Sequence, residues 1–129
     1  MKDKQNTNNV FKSIKGFRYA FDGLKTLWRE EHNFHIHILA AVIVIFLGII
    51  FQISKFEWIA AILAIGVVFI AEIINTSIEN LADFVHPEKH LHIKKIKDLA
   101  AAAVLISAFS ALIIGMLIFL PKILDLLVS

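Results

Sequence analysis

The chain has 129 residues, 58% of them hydrophobic, with a formal net charge of +2 and no cysteine. A soluble domain holds about 45–50% apolar residues, and here the charges flank long apolar runs, so the composition indicates one membrane domain rather than a soluble globule. The absence of cysteine excludes disulfides, thiolate zinc sites and cysteine nucleophiles, and the small net charge gives no reason to expect a nucleic-acid partner.

The chain begins with a polar stretch that precedes an amphipathic helix. Residues 1–9, MKDKQNTNN, contain no apolar signal-peptide core and are expected to form a disordered tail. Apolar residues then recur at alternating steps of four and three, at Val10, Ile14, Phe17, Phe21, Leu24 and Trp28. This spacing predicts a helix over about 10–33 with one apolar stripe, and its remaining surface is largely basic. Such a helix lies in the membrane interface with its basic side toward anionic headgroups.

Three apolar runs follow, over about 36–53, 58–78 and 99–120. A helix crosses a bilayer with about 20 apolar residues, so each run is long enough, although the first is short. Continuous runs favour helices over a β-barrel, whose strands alternate. The predicted fold is therefore an all-α integral membrane protein with three transmembrane helices and an N-terminal surface helix, in one domain over 10–129.

The basic residues predict the orientation of these helices. Those before the first run and between the second and third are Lys2, Lys4, Lys12, Lys15, Arg18, Lys25, Arg29, Lys89, Lys94, Lys95 and Lys97. The opposite side holds only Lys55 and Lys122. Because basic residues are retained on the cytoplasmic side, we expect a multi-pass protein of the cytoplasmic membrane, with its N-terminus inside and its C-terminus outside.

The second run ends in a polar stripe within AEIINTSIENLADF, residues 71–84. Glu72, Asn75, Glu79 and Asp83 recur at steps of three and four, which places them on one face of a helix with Glu72 deepest in the membrane. A carboxylate inside a span costs a few kcal/mol and marks a functional site by default, although a lone inward glutamate could also serve only to bond a neighbouring helix.

This stripe suits phosphate transfer to a lipid alcohol. A carboxylate removed from bulk water is a competent general base for a hydroxyl, and carboxylates nearer the water can hold Mg²⁺ together with substrate phosphates. The following loop, HPEKHLHIKKIKD at 86–98, supplies lysines for phosphate charge. The chain contains no G-x-x-x-x-G-K-[ST] or G-x-G-x-x-G motif, so a nucleotide site here differs from the common soluble kinds.

Other polar groups admit more than one interpretation. Glu30 and Glu31 form either a solvated helix end or part of a metal site near Glu79. Six histidines, His32, His35, His37, His86, His90 and His92, invite a zinc hypothesis, but no H-E-x-x-H occurs and interfacial histidines are more often surface groups.

The third run presents small residues at four-residue steps, Ala103, Ser107, Ala111 and Gly115, after an alanine run. Small residues let helices approach closely, which indicates packing rather than catalysis. Because three helices alone can hardly shield Glu72, we expect an oligomer.

Two rival functions remain open at this level. A small transporter or proton-conducting channel would use Glu72 as a proton relay, but this leaves the continuation through Glu79 and Asp83 into a lysine-rich loop without a role. A non-catalytic membrane scaffold leaves the whole stripe unexplained.

The polar stripe and the segment after it carry a family resemblance. AEIINTSIENLADF at 71–84, followed by KDLAAAAVL at 97–105, resembles the signature of the small prokaryotic diacylglycerol kinase family, which includes the undecaprenol kinases. The similarity extends from about Phe11 to about Leu120. It implies a homotrimer of three-span protomers with active sites shared between neighbours, and MgATP-dependent phosphorylation of a lipid alcohol in the bilayer.

The resemblance also implies roles for individual residues. Glu72 matches the catalytic base, with Asn75 and Asp83 as further polar members of the active site, and Glu31 and Glu79 match the Mg²⁺-binding carboxylates. Nucleotide-contacting positions match Lys12, Tyr19, Glu88, Lys89, His90, Lys97 and Asp98. The lipid entrance matches Gly16, Phe17, Arg18, Tyr19, Phe21, Lys25, Trp28, Asn33, Phe34 and His37. Lys12 stands where diacylglycerol-specific members often have arginine, and EEHNFHIH at 30–37 looks more like the undecaprenol-kinase branch, which favours a polyprenol substrate.

Overall fold

The protein is helical along its described length. The computed structural model describes the backbone of residues 2–128 and the side chains of residues 15–128. Over this range the chain forms α1 (Lys2–Glu30), α2 (His32–Ile50), α3 (Lys55–Val85) and α4 (Leu91–Val128). The last three helices are each long and apolar enough to cross a membrane. The prediction of an all-α protein with three candidate spans is confirmed.

The chain divides into two compact units, Met1–His32 and Asn33–Ser129. The first unit consists essentially of α1, and the expected tail at 1–9 lies outside the residues with described side chains. The described members of the apolar stripe, Phe17, Phe21, Leu24 and Trp28, are all exposed. An exposed row of large apolar side chains on a basic helix suits insertion into a membrane interface. The helix ends at Glu30, and the Glu31 N–H still donates to the Leu27 carbonyl at 3.0 Å.

In the second unit, α2 ends earlier than the apolar run because a tight turn stops it. Gln52 has φ of 47°, in the left-handed region. Its N–H donates to the Ile49 carbonyl at 3.3 Å, and the Ile53 N–H donates to the Gly48 carbonyl at 3.1 Å. These are the two bonds of a Schellman motif, which closes the helix at Ile50 rather than at the predicted 53.

The next helix begins with a capping box immediately after this turn. The Glu57 N–H donates to Ser54 Oγ at 3.3 Å, and the Ser54 N–H donates to Glu57 Oε2 at 2.6 Å. Two otherwise unsatisfied backbone N–H groups are thereby bonded, which fixes the start of α3 at Lys55.

The apolar core of the second unit lies at this turn. Ile53, Ala61, Ile118 and Phe119 are buried together, and Phe51 and Trp58 are among the residues packed against them. The Trp58 ring lies against Gly48, where a Cβ atom would come within 2.7 Å of the ring atom Cη2. The close approach of α2 to the start of α3 therefore depends on the missing side chain at position 48.

Gly48→Ala is expected to destabilise the fold by about 1–3 kcal/mol, because the added methyl must displace the Trp58 ring or the Ile53 side chain. The midpoint of unfolding in a titration of mixed micelles with sodium dodecyl sulfate measures this loss. Gly23→Ala is the matched control, since a Cβ there meets nothing within 4 Å. Equal midpoints for the two variants would show that the contact at Gly48 does not constrain the fold.

α3 and α4 form a long antiparallel pair held by one ion pair toward each end. Lys122 Nζ lies 2.9 Å from Glu57 Oε1, and Lys97 Nζ lies 2.8 Å from Asp83 Oδ1. At 1.5 Å of rise per residue, about 39 Å of helix separates Glu57 from Asp83. This exceeds a hydrocarbon thickness of about 30 Å, so the ion pairs need not enter the hydrocarbon. Both helices run beyond the predicted spans, and α4 continues through Pro121.

Candidate functional site

Glu72 is the most deeply buried large side chain described, with 1% of its surface exposed. It lies on α3 on the stripe that the sequence predicted. An isolated buried carboxylate is costly, so its position requires a partner.

That partner is His37 of α2. His37 Nε2 lies 2.9 Å from Glu72 Oε1. This close contact does not meet the geometry of a hydrogen bond, and Glu72 Oε1 has no hydrogen-bond partner among the described residues. On the same two helices, the Phe34 and Phe69 rings pack with their centroids 5.4 Å apart. An aromatic contact and a polar contact thus join α2 to α3 in this region.

Further polar groups follow along α3 from Glu72. Asn75 and Thr76 are buried, and Asn75 Nδ2 donates to Glu79 Oε1 at 3.2 Å. Asn75 Oδ1 and Thr76 Oγ1 are buried without a hydrogen-bond partner among the described residues. Since buried polar atoms are seldom left unbonded, these two oxygens mark a place where a ligand, water or another chain supplies the partner.

The stripe ends in a charged cluster where α3 and α4 meet. Lys97 Nζ contacts both oxygens of Asp83, at 2.8 and 3.0 Å. Asp98 pairs with Lys94 one turn away on α4. Lys97 is thereby held beside the α3 stripe.

The connection between α3 and α4 carries the predicted residues Glu88, Lys89 and His90, all of them exposed. The His90 ring lies between those of His86 and His92, with centroids 5.1 and 5.5 Å away. The first pair of rings is tilted and the second is stacked, and within residues 33–128 no three histidine or acidic side chains converge to form a ready metal site.

The oxygen donors on α3 nevertheless fit part of a Mg²⁺ site, in which other ligands complete the coordination shell. The Glu79 carboxylate and the unbonded Asn75 Oδ1 are hard oxygen donors on one face of α3. Mg²⁺ is usually bound by one or two carboxylates and completes its shell with substrate phosphates and water.

An apolar groove opens beside the Glu72 pair. Its volume is about 440 Å³, and its lining includes His37 and Val44 of α2, Val68 of α3, and Leu112 and Ile114 of α4. His37 therefore borders both the buried carboxylate and this groove.

The other predicted residues are found in varied settings. Phe34 is buried, and Asn33 is exposed at the start of α2. In the first unit Glu31 is half-buried. All the predicted residues of α1 with described side chains are exposed, namely Gly16, Phe17, Arg18, Tyr19, Phe21, Lys25 and Trp28. Lys12 lies outside the residues with described side chains.

The sequence interpretation missed two features of this site. His37 was considered for the lipid entrance and for the zinc hypothesis, but not as a neighbour of the buried carboxylate that it contacts. Thr76 was not proposed at all, although it lies one helical turn from Glu72 and its buried hydroxyl is unbonded. Its four-residue spacing from Glu72 was the available signal.

Comparisons with known proteins point to one family. Residues 18–119 match the model of the family described as prokaryotic diacylglycerol kinase. The chain is 38% identical to the undecaprenol kinase of Bacillus subtilis (strain 168), over 95% of this chain and 99% of that protein. It is 39% identical to a diacylglycerol kinase of Helicobacter pylori (strain ATCC 700392 / 26695), over 72% and 73% of the two chains. With the diacylglycerol kinase of Escherichia coli (strain K12), identity is 29% over 84% and 88%.

Proposed function

Because this chain belongs to the prokaryotic diacylglycerol kinase family, we propose that it transfers the γ-phosphoryl group of MgATP to the hydroxyl of a membrane lipid alcohol. The observation that carries the mechanism is the fully buried Glu72, at the deep end of a polar stripe that reaches the lysine-rich end of α4. A soluble nucleotide and a lipid-embedded hydroxyl can approach such a stripe from its two ends.

Glu72 is the general base in this proposal. Its carboxylate accepts the hydroxyl proton as the lipid oxygen attacks the γ-phosphorus. A new bond forms between that oxygen and phosphorus, the bond from phosphorus to the bridging oxygen of ADP breaks, and ADP leaves with the electron pair. Low water access around Glu72 also limits the competing transfer to water.

Glu31 and Glu79 are proposed to hold Mg²⁺, with the unbonded Asn75 Oδ1 close to Glu79 on the same face. When bound, the ion supplies positive charge that neutralises the phosphate oxygens and orients the nucleotide. The Asn75 amide donates to Glu79 and so holds the side chain of that carboxylate in one orientation.

The end of the stripe at Asp83 and Lys97 is charged and suits binding of the nucleotide phosphates. Asp83 holds Lys97 beside α3, where the ammonium group stabilises charge on the transferred phosphoryl group. The other proposed nucleotide contacts are Lys12, Tyr19, Glu88, Lys89, His90 and Asp98. The exposure of Glu88, Lys89 and His90 supports a site that is open to water from this side.

We also propose a homotrimer with shared active sites and a cytoplasmic N-terminus. The concentration of basic residues before α2 and between α3 and α4 supports this orientation. Two features support an oligomer. A neighbouring chain can cover the open apolar groove, and it can also supply hydrogen-bond partners to the unbonded buried oxygens.

Undecaprenol is expected to be a better acceptor than diacylglycerol. Support comes from the run at 30–37 and from the similarity to an undecaprenol kinase along nearly the whole chain. Since apolar sites discriminate weakly, by about 1–3 kcal/mol for a methylene-scale difference, some activity on both lipids is expected. Selectivity is then proposed to arise at the lipid entrance, to which Trp28 and Phe34 are assigned, rather than at the base.

Purified protein in lipid micelles tests both the activity and the preference. ATP consumption should require an added lipid alcohol, and competition between the two lipids in one micelle population should give the higher kcat/KM for undecaprenol. A higher value for diacylglycerol would reverse the preference and leave the kinase assignment in place. ATP-independent proton flux, without lipid phosphorylation, would instead support the channel.

A further inference from the structure

We propose that His37 is a positioning residue for Glu72, which fixes the orientation of the base during phosphoryl transfer. This inference rests on the proposed function, in which Glu72 takes the proton of the lipid hydroxyl.

The contact itself is specific. His37 Nε2 lies 2.9 Å from Glu72 Oε1, and no hydrogen bond satisfies that oxygen among the described residues. The histidine side chain is 20% exposed, whereas that of the glutamate is 2% exposed. His37 is therefore a polar side chain placed directly beside the buried carboxylate.

A buried carboxylate without a polar neighbour can rotate toward another polar group, and it then no longer presents its second oxygen to the lipid hydroxyl. The imidazole beside Oε1 opposes this rotation, because it restrains the plane of the carboxylate. Glu72 Oε2 is then the oxygen that receives the hydroxyl proton.

The location of His37 adds to this role. Its ring also lines the apolar groove between α2, α3 and α4, so one edge of the ring meets the carboxylate and another borders apolar surface. Phe34, one turn earlier on α2, is buried against Phe69 of α3. This packing restrains α2 and so holds the imidazole in register with Glu72.

Two amide substitutions separate positioning from general structure. In His37→Gln the amide nitrogen can occupy nearly the place of Nε2, whereas in His37→Asn the shorter side chain reaches only the place of Nδ1. We expect His37→Gln to keep kcat within about 5-fold of wild type, and His37→Asn to lower kcat by roughly 10–100-fold, part of a general-base term of about 10²–10⁴. KM for MgATP should change little in either variant, since His37 contacts the base and not the nucleotide end.

A second pair of variants tests whether His37 acts through Glu72. When each is combined with Glu72→Gln, the two His37 substitutions should give the same residual rate, because there is no base left to position. Val44→Ala is the control for packing, because Val44 lies on the same helix, two turns beyond His37, and lines the same groove. Its kcat should match that of wild type.

The outcomes distinguish this inference from the function on which it rests. A wild-type protein that phosphorylates no lipid alcohol would overturn both. An active wild type with equal kcat in His37→Gln and His37→Asn would overturn only the positioning role. The positioning role would also be overturned if the two His37 variants still differed in rate in the Glu72→Gln background. It would be overturned as well if the His37 substitutions changed only KM and left kcat unchanged.

Discussion

Glu72→Gln is expected to lower the rate of lipid phosphorylation by about 10²–10⁴-fold, the range over which a general base contributes to catalysis. Glutamine keeps the size of the side chain and can still bond His37, but it cannot accept the hydroxyl proton. Fold and MgATP binding should be largely unchanged, because Glu72 lies away from the Lys97 end of the stripe. Steady-state kcat, the unfolding midpoint in mixed micelles and calorimetric binding of MgATP measure these three quantities.

Glu57→Gln provides a matched control for this loss. It makes the same substitution on the same helix, but Glu57 pairs with Lys122 at the far end of α3. Its kcat should equal that of wild type, with only a small loss of stability, because a partly exposed ion pair contributes little. Wild-type turnover in Glu72→Gln would show that Glu72 is not the base, and the proposed mechanism would be wrong.

The helices could be predicted from the sequence because hydrophobic length and charge placement depend on local composition. Their ends could not be predicted as well. α2 stops at Ile50 through a turn whose left-handed residue is Gln52, so no glycine or asparagine signals it. α4 continues through Pro121, a residue that usually ends or kinks a helix interior.

The polar stripe of α3 could be predicted because a helix puts residues three and four apart on one face. The contact between His37 and Glu72 could not be predicted from the sequence, because it depends on the register of α2 against α3. That register is set by the Schellman turn and by the packing of Trp58 on Gly48, which spacing alone does not reveal. The pairing of Asp83 with Lys97 likewise depends on how α3 and α4 pack across their connection.

Glu79→Gln and Glu31→Gln are each expected to raise the Mg²⁺ concentration required for half-maximal activity. Each substitution replaces an anionic oxygen ligand by a neutral one, which weakens binding of a hard cation. For Glu79 the amide also disturbs the hydrogen bond from Asn75. Activity measured over a Mg²⁺ titration at fixed ATP gives the midpoint, and saturating Mg²⁺ should restore part of the lost rate.

If the effect on Mg²⁺ binding is specific, substitution of other acidic residues should leave the Mg²⁺ midpoint unchanged. Glu57→Gln is the control on α3, because Glu57 is engaged by Lys122 and Ser54 away from the stripe. Glu72→Gln should lower the rate at every Mg²⁺ concentration without moving the midpoint, since the base is not a proposed ligand. If Glu79→Gln and Glu31→Gln also leave the midpoint unchanged, neither carboxylate binds the ion. A shift in Glu79→Gln alone would place the metal on α3 and remove Glu31 from the site.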